Sequence, residues 1–273
     1  MGTPSEATIY TYTRDYLQNL TDLQDKVVVD VPAGSGRWNR LLKDKGARVK
    51  ALDLYPEGIE GEGVDKLFAD MNDRLPLEDE TADVVICQEG IEHVHNQLGL
   101  LGELNRILKP GGRLLLTTPS ISHARARLSM LLIESEYWKR LPASEANSVW
   151  LSEQNSSRLY FGHLYLVNVN QLRALTALSG FEIEQRIPTK RSASSVILGL
   201  LMYPFMGLAA AIAYGDTLRK EGHKLDTRKR AILKQQIRLN LSPTTLFCKD
   251  NFWVLRKRRN EAEMLDYLRA MQR

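Results

Sequence analysis

The acids and glycines near the start of this chain fall at intervals that suit the capture of a nucleoside. Asp30 ends the run VVVD at residues 27–30, and the next six residues, VPAGSG, carry little side chain. Glycines at 34 and 36 let a ligand lie against the backbone, and the amides that open the following helix can hold a carboxylate. Asp53 follows 17 residues after Gly36, at the end of ARVKALD, where an acid can accept both hydrogen bonds of a ribose diol. A dinucleotide site would place Gly or Ala three residues after the second glycine, to pack the helix over a pyrophosphate, but Asn39 stands there. An acid at position 30 repels phosphates and attracts an ammonium group. The pattern favours an amino-acid-bearing nucleoside.

Proton transfer has three candidates: His93 in IEHV, His123 in PSISHAR and His163 in FGHLYL. A histidine's ordinary pKa suits a base near neutral pH. His93 is either such a base or a residue that caps or packs a helix beside Glu92, and His163 is either a cleft residue or an ordinary turn residue. Glu89 could orient either one. Cys87 and Cys248 lie far apart in apolar runs and share no metal-ligand spacing with the five histidines. No metal is expected, and both cysteines read as buried thiols.

These residues need a scaffold, and the intervening segments describe one. VVVD is a strand covered on both faces, and RWNRLLKDKG is a helix with Trp38, Leu41 and Leu42 on its apolar side and Gly46 at its end. ADVVICQ is a second buried strand, ELNRILKPGG a helix stopped by Pro and Gly, and RLLLTT another strand. Such alternation predicts an α/β fold with a doubly wound sheet whose ligands gather at the carboxyl ends of the strands. Asp30, Asp53, Asp70 and Gln88 all fall at such ends, although any one alone could be a cap or turn residue. The stretch IYTYTRDYLQNL before the first strand is either a lid over the site or a cover for the sheet.

Taken in order, these segments resemble the class I methyltransferases that use S-adenosylmethionine, particularly the group that includes quinone-biosynthesis methyltransferases. VVVDVPAGSG resembles the first motif, with Pro32-Ala33 where the family more often has Gly-Cys or Gly-Ser. ALDLYP resembles the second, with Asp53 as the ribose acid and Leu54 beside it. FADMNDRLPLEDETADVVICQ resembles the third and fourth, with Asp70 meeting the adenine amino group and Met71 packing on the ring. LGELNRILKPGGRLLLTTPS and GHLYLVNVNQLRALTALSGFEIEQ resemble the later helices and strands. The resemblance spans roughly residues 10–188 and, less clearly, 246–258. It implies a Rossmann-like seven-stranded methyltransferase sheet and the cofactor S-adenosyl-L-methionine, held by Asp30, Ala33, Gly34, Gly36, Asp53, Leu54, Asp70, Met71 and Gln88, with His93 and His163 on the catalytic side.

Charge and hydropathy set the rest of the chain apart. Residues 1–190 hold 21 Lys+Arg against 26 Asp+Glu, whereas residues 191–273 hold 16 against 7. No charge occurs from Ser192 to Gly215, and residues 219–238 then carry eight Lys+Arg against two acids. An apolar segment followed by a basic amphipathic helix suits an anionic leaflet. A full crossing is awkward, because FCKDNFWVLRKR must return to the same sheet, so the segment should break at Tyr203-Pro204 and return, or lie in the interface. The other reading is a helical pair folded on its own domain or on a homodimer partner. Residues 121–163, rich in aromatic and basic residues, occupy the place where an acceptor pocket or a covering lid is built.

These readings divide the chain into a cofactor domain at 1–190 plus 246–258, a helical insertion at 192–240 between the sixth and seventh strands, and a C-terminal helix at 259–273. The N-terminus lacks a basic region followed by an apolar one, which favours the cytoplasm, peripheral on the inner face of the membrane. The expected activity is O-methylation of a lipid-linked or amphipathic acceptor, such as a cell-envelope glycan, a glycolipid or lipopolysaccharide. Alternatives are a quinone-like lipid, or a scaffold subunit without chemistry. Nucleic acid is not the expected partner, because few aromatics accompany the cations and an apolar run has no use there.

Overall fold

The structure, a computed structural model, describes residues 8–152 and 158–272. Residues 1–7, on which the reading against export partly rests, and 153–157 of the 121–163 segment lie outside the described residues. Regular structure begins with α1 (Ile9–Asn19), β1 (Val27–Asp30), α2 (Asn39–Asp44), β2 (Arg48–Asp53), β3 (Asp65–Phe68), β4 (Ala82–Gln88), α3 (Gln97–Ile107) and β5 (Leu108–Pro119). It continues through α4 (Ala124–Ile133), the antiparallel pair β6 (Val149–Leu151) and β7 (Leu159–Phe161), α5 (Val169–Leu178) and β8 (Phe181–Arg186). Then come α6 (Ala193–Glu221), α7 (Thr227–Asn240), α8 (Pro243–Phe247), β9 (Asp250–Lys257) and α9 (Glu261–Gln272).

Seven strands form one sheet in the order β3-β2-β1-β4-β5-β9-β8, parallel from β3 to β5, with β9 antiparallel to both of its neighbours. The doubly wound sheet anticipated from the alternation of elements is present. Val27, Val29 and Val31 pack on one side with Leu100, Leu104 and Leu172 from α3 and α5, while Val28 packs on the other with Leu17, Leu42 and Phe252. An unbroken valine run is thus what two covered faces require. Chain order reverses between β1 and β4, so the crevice at their carboxyl ends is the natural ligand position.

Three local details depart from the sequence reading or complete it. α1 buries Ile9, Thr13 and Leu17 with Trp38 and Phe252, so of its two possible roles it takes the covering one. The Lys-Pro-Gly-Gly turn belongs to the start of β5, where Gly111 takes φ +74°. α6 does not break at Tyr203-Pro204: it runs unbroken for 29 residues through Pro204. A proline deprives a helix of one hydrogen bond and costs about 3 kcal/mol, which strong helix formers such as Leu200, Leu201 and Met202 before it and LAAA after it can absorb.

Both ends of the insertion are tied to the body. Near its start, Ser195 and Gly199 of α6 are buried against α4 and α8, whereas Leu201, Phe205, Leu208 and Ile212 further along are exposed. α7 then brings the chain back to β9. Cys87 and Cys248 are buried and unpaired thiols, as anticipated.

Candidate functional site

The two glycines of the turn after β1 stand in different surroundings. Gly34 takes φ +55° and a β-carbon placed there would meet nothing within 4 Å, so this backbone is open to close approach. Its N–H donates to Asp53 Oδ2 at 2.8 Å, while Asp53 Oδ1 accepts from the Tyr55 amide at 3.1 Å. Gly36, at φ +79°, serves packing instead: a β-carbon there would lie 2.3 Å from Asn39 Nδ2 and 2.7 Å from the Glu60 carbonyl oxygen. Asn39 donates to that same carbonyl at 2.7 Å, which accounts for an amide where a dinucleotide fold would carry its third glycine. Ala33 is buried beside Gly34, and its N–H donates to the Leu52 carbonyl at 2.9 Å.

A cavity of about 260 Å³ opens beside this turn, lined by Val31, Pro32, Asp53, Leu54, Tyr55, Asp70, Met71, Glu89, His93, Trp150 and Tyr160 among others. Four of the expected cofactor residues, Asp53, Leu54, Asp70 and Met71, meet in this one wall. Asp30 does not line it. Its carboxyl is buried at the end of β1, with Oδ2 lacking any partner among the described residues, and burial together with the nearby Asp53 pushes its pKa up to about 8. Gln88 also stays outside the wall. It accepts from Trp38 Nε1 at 2.9 Å and donates to Thr13 Oγ1 at 3.2 Å, which ties α1 and α2 to the end of β4.

Asp70 is surrounded by donors. Oδ1 accepts from the Asn72 amide at 2.8 Å and its Nδ2 at 2.9 Å, and Oδ2 accepts from Arg158 Nη1 at 2.7 Å and Tyr160 Oη at 2.8 Å. Burial alone would raise its pKa, but these bonds hold it below the ordinary carboxylate value. Tyr160 belongs to the β6–β7 pair, which roofs the cavity, and Arg158 immediately precedes β7. Trp150 and Tyr160 face each other in register and stack at 6.1 Å, and Tyr55 Oη donates to Ser152 Oγ at 3.0 Å.

Beyond β4 the chain turns through Glu89, at φ +50°, into a short turn of 3₁₀ helix at Ile91–His93. Glu89 Oε1 accepts from Thr117 Oγ1 at 2.8 Å, and Glu92 Oε2 accepts from Thr118 Oγ1 at 2.9 Å, both hydroxyls coming from β5. Burial first, and the nearby Glu92 second, raise Glu89 to about 8, and burial raises Glu92 as well. His93 Nδ1 lies 2.8 Å from the Phe161 carbonyl oxygen. A carbonyl only accepts, so Nδ1 is the donor in this bond, and in the neutral ring the lone pair then falls on Nε2. His163 sits with its ring 5.4 Å from that of His93 and its Nδ1 3.1 Å from the Tyr137 hydroxyl, and burial lowers its pKa.

The fold therefore joins His93 and His163, which are 70 positions apart in the chain. Glu92, His93 and His163 offer three ligand atoms within 4.8 Å of one another, a set that could serve a divalent cation although no metal was expected. His123 is placed elsewhere. Its Nδ1 accepts from the Ala126 amide at 3.2 Å and meets Ser195 Oγ at 2.8 Å, capping α4 and fastening α6, and burial lowers its pKa to about 4. Trp150 and Tyr160, which reach the wall, and Arg158, which reaches Asp70 behind it, were missed by the sequence reading, because they come from a segment that carries no motif.

A doubly wound seven-stranded sheet with a cavity at its switch point, lined by Asp53, Asp70 and His93 among others, has the architecture of a class I S-adenosylmethionine-dependent methyltransferase. The model of the methyltransferase domain family matches residues 6–186, and the chain belongs to that family. Relatives include the ubiquinone biosynthesis O-methyltransferases of Xylella fastidiosa (strain M23) and Xanthomonas oryzae pv. oryzae (strain PXO99A). Each is 32% identical over 136 residues, covering 46% of this chain and 54% or 56% of the relative. The chain spans about half the length of the curated relatives it matches. Among solved structures, one from Bacillus halodurans C-125 provisionally named a methyltransferase aligns with a TM-score of 0.51 at 17% identity, over 91% of this chain and 100% of that one. Another, from Listeria monocytogenes, provisionally named an S-adenosylmethionine-dependent methyltransferase, aligns with a TM-score of 0.50 at 12% identity over 91% and 96%. Both likenesses concern the fold. Family and fold imply S-adenosyl-L-methionine as the cofactor.

Proposed function

We propose that this chain transfers a methyl group from S-adenosyl-L-methionine to an oxygen of an amphipathic, lipid-linked acceptor at the inner face of the cytoplasmic membrane. The residues present fit the cofactor: Gly34 leaves an open cradle, Asp53 offers its carboxylate to a diol, and the unpartnered Oδ2 of Asp30 lies next to the turn. Bound there, the cofactor supplies a methyl group already activated on a sulfonium. The chain's own work is alignment and proton removal.

The observation that carries the reading is that His93 lines the cofactor cavity itself while holding its Nδ1 proton on the Phe161 carbonyl. Nε2 would then take the proton of an acceptor hydroxyl, leaving that oxygen's electron pair for the methyl group the cofactor supplies. Glu92, placed next to both histidines, stabilises the imidazolium formed. His163 and Tyr137 close the other side of the ring.

The acceptor's amphipathic character rests on α6 and α7. Leu201, Phe205, Leu208 and Ile212 are all more than 60% exposed, and α6 is long and apolar enough to enter a membrane. α7 presents Arg228, Arg230, Lys234 and Arg238 to solvent, and none of these has a carboxylate partner among the described residues. The helix should lie in the interface, since α7 is only about 21 Å long at 1.5 Å per residue and must return the chain to the sheet. Cell-envelope glycans and glycolipids suit such a surface. A quinone-like lipid is the second reading, favoured by the relatives named for ubiquinone biosynthesis.

The test is transfer of labelled methyl from S-adenosyl-L-methionine into lipid extracts, resolved into glycolipid, quinol and aqueous fractions. Label in an alkali-stable ether of the glycolipid fraction is the expected result. Binding of S-adenosylhomocysteine without turnover on any fraction would favour a scaffold subunit.

A further inference from the structure

We propose that Arg158 is a specificity residue of the adenine pocket, one that pairs with Asp70 and yields its place there to the adenine amino group. This rests on the placement of adenine at Asp70. A carboxylate has about four acceptor positions, and those of Asp70 are all taken: Oδ1 by the two Asn72 donors, Oδ2 by Tyr160 and Arg158. An incoming amino group must displace one of them.

The four donors differ in what they lose by leaving. The Asn72 bonds belong to a tight local turn, and the Tyr160 hydroxyl is buried and held by ring stacking on Trp150. Arg158 is about one-third exposed and already grips a second acid, Asp73, with Nη1 at 2.6 Å and Nη2 at 3.0 Å. It can release Asp70 and remain paired.

The exchange also reads the base. Asp70 only accepts, so a purine with an amino group at position 6 replaces the guanidinium, whereas a 6-oxo purine offers an acceptor and leaves Arg158 in place. Arg158 thus sets a threshold that only a donor passes.

Calorimetric titration of the full chain with S-adenosylhomocysteine at several salt concentrations tests this, using Arg158→Ala, Arg158→Gln and Arg158→Lys, with unliganded thermal midpoints to confirm folding. Arg158→Ala should bind about three- to tenfold more tightly than the natural protein, because the competing closed state is gone. Arg158→Lys should restore the natural value and Arg158→Gln fall between. Salt weakens the ion pair that must be broken, so affinity should rise with ionic strength in the natural protein and lose that rise in Arg158→Ala. Weaker or unchanged binding by Arg158→Ala would overturn the proposal and make Arg158 a fixed support of Asp70. Absence of binding by the natural protein would overturn the placement of the cofactor, and the proposal with it.

Discussion

His93 Nδ1 lies 2.8 Å from the carbonyl oxygen of Phe161, a residue on the roof of the cavity, so the tautomer of one side chain is set by a backbone atom 68 positions away. A glutamine at position 93 keeps a hydrogen-bonding side chain but has no lone pair of comparable basicity. His93→Gln should lower the methyl-transfer rate on the active lipid fraction by about 10²–10⁴-fold, the usual worth of a positioned base. S-adenosylhomocysteine affinity should stay within about twofold. An unchanged rate would show that the acceptor oxygen is ionised by other means.

Asp53 holds the Gly34 and Tyr55 amides with its two oxygens and faces the cavity. Asp53→Ala removes both the expected ribose contact and the brace on the glycine turn. The loss should be about 1–3 kcal/mol of S-adenosylhomocysteine binding, measured by calorimetry. Asp53→Asn keeps an acceptor oxygen and should lose less. Equal binding by both variants and the natural protein would remove the ribose from this wall.

Asp30 gives a pH dependence with a definite sign. An ordinary aspartate titrates near 3.8, while burial holds the folded Asp30 protonated to about pH 8. The folded state therefore binds the extra proton, and this group's contribution to stability falls as pH rises from about 4 to about 8. Asp30→Asn removes that loss. Its thermal midpoint should exceed the natural protein's at pH 8 and match it near pH 4. Because a ligand ammonium favours the ionised acid, S-adenosylhomocysteine binding by the natural protein should release a proton near pH 7, and Asp30→Asn should bind more weakly without that release. The same midpoint difference at both pH values would mean that Asp30 is already ionised.

What could be read from the sequence follows from how local each signal is. The β1 turn, Asp53 and Leu54 sit at the ends of β1 and β2, where a few residues of pattern fix both the strand and its exit, whereas Asp70 and Met71 were legible through the resemblance of FADMNDRL to a family motif. Gln88 shows the limit of that reasoning. It ends its strand as expected, but its side chain follows Val84 and Ile86 onto the α1 face and is spent on Trp38 and Thr13. Strand β3 has mostly exposed residues and pairs only with β2, so it leaves no apolar pattern to find. Arg158 and Tyr160 reach Asp70 across 88 and 90 positions, and nothing near them in the chain announces it.

The exposed part of α6 and its anchored start separate the two readings of the insertion. Gly199 is fixed to the body, since a β-carbon there would lie 2.7 Å from the Phe247 ring, so deleting the helix would damage the fold as well as the surface. Replacing Leu201, Phe205, Leu208 and Ile212 by serine leaves that anchor in place. Burying such side chains is worth about 1.5–3 kcal/mol each, so if they enter a bilayer the variant should lose more than 100-fold in binding to phosphatidylglycerol vesicles. Its thermal midpoint in solution and its S-adenosylhomocysteine affinity should be unchanged, because these side chains touch little of their own domain. A homodimer face behaves differently: the same substitutions would convert a dimer to a monomer in sedimentation, lower the midpoint, and leave the natural protein's vesicle binding weak from the start. Charge adds an independent arm. Reversing Arg230 and Lys234 to glutamate should weaken binding to phosphatidylglycerol vesicles and spare the dimer, since exposed cations facing an anionic leaflet contribute about 1 kcal/mol each.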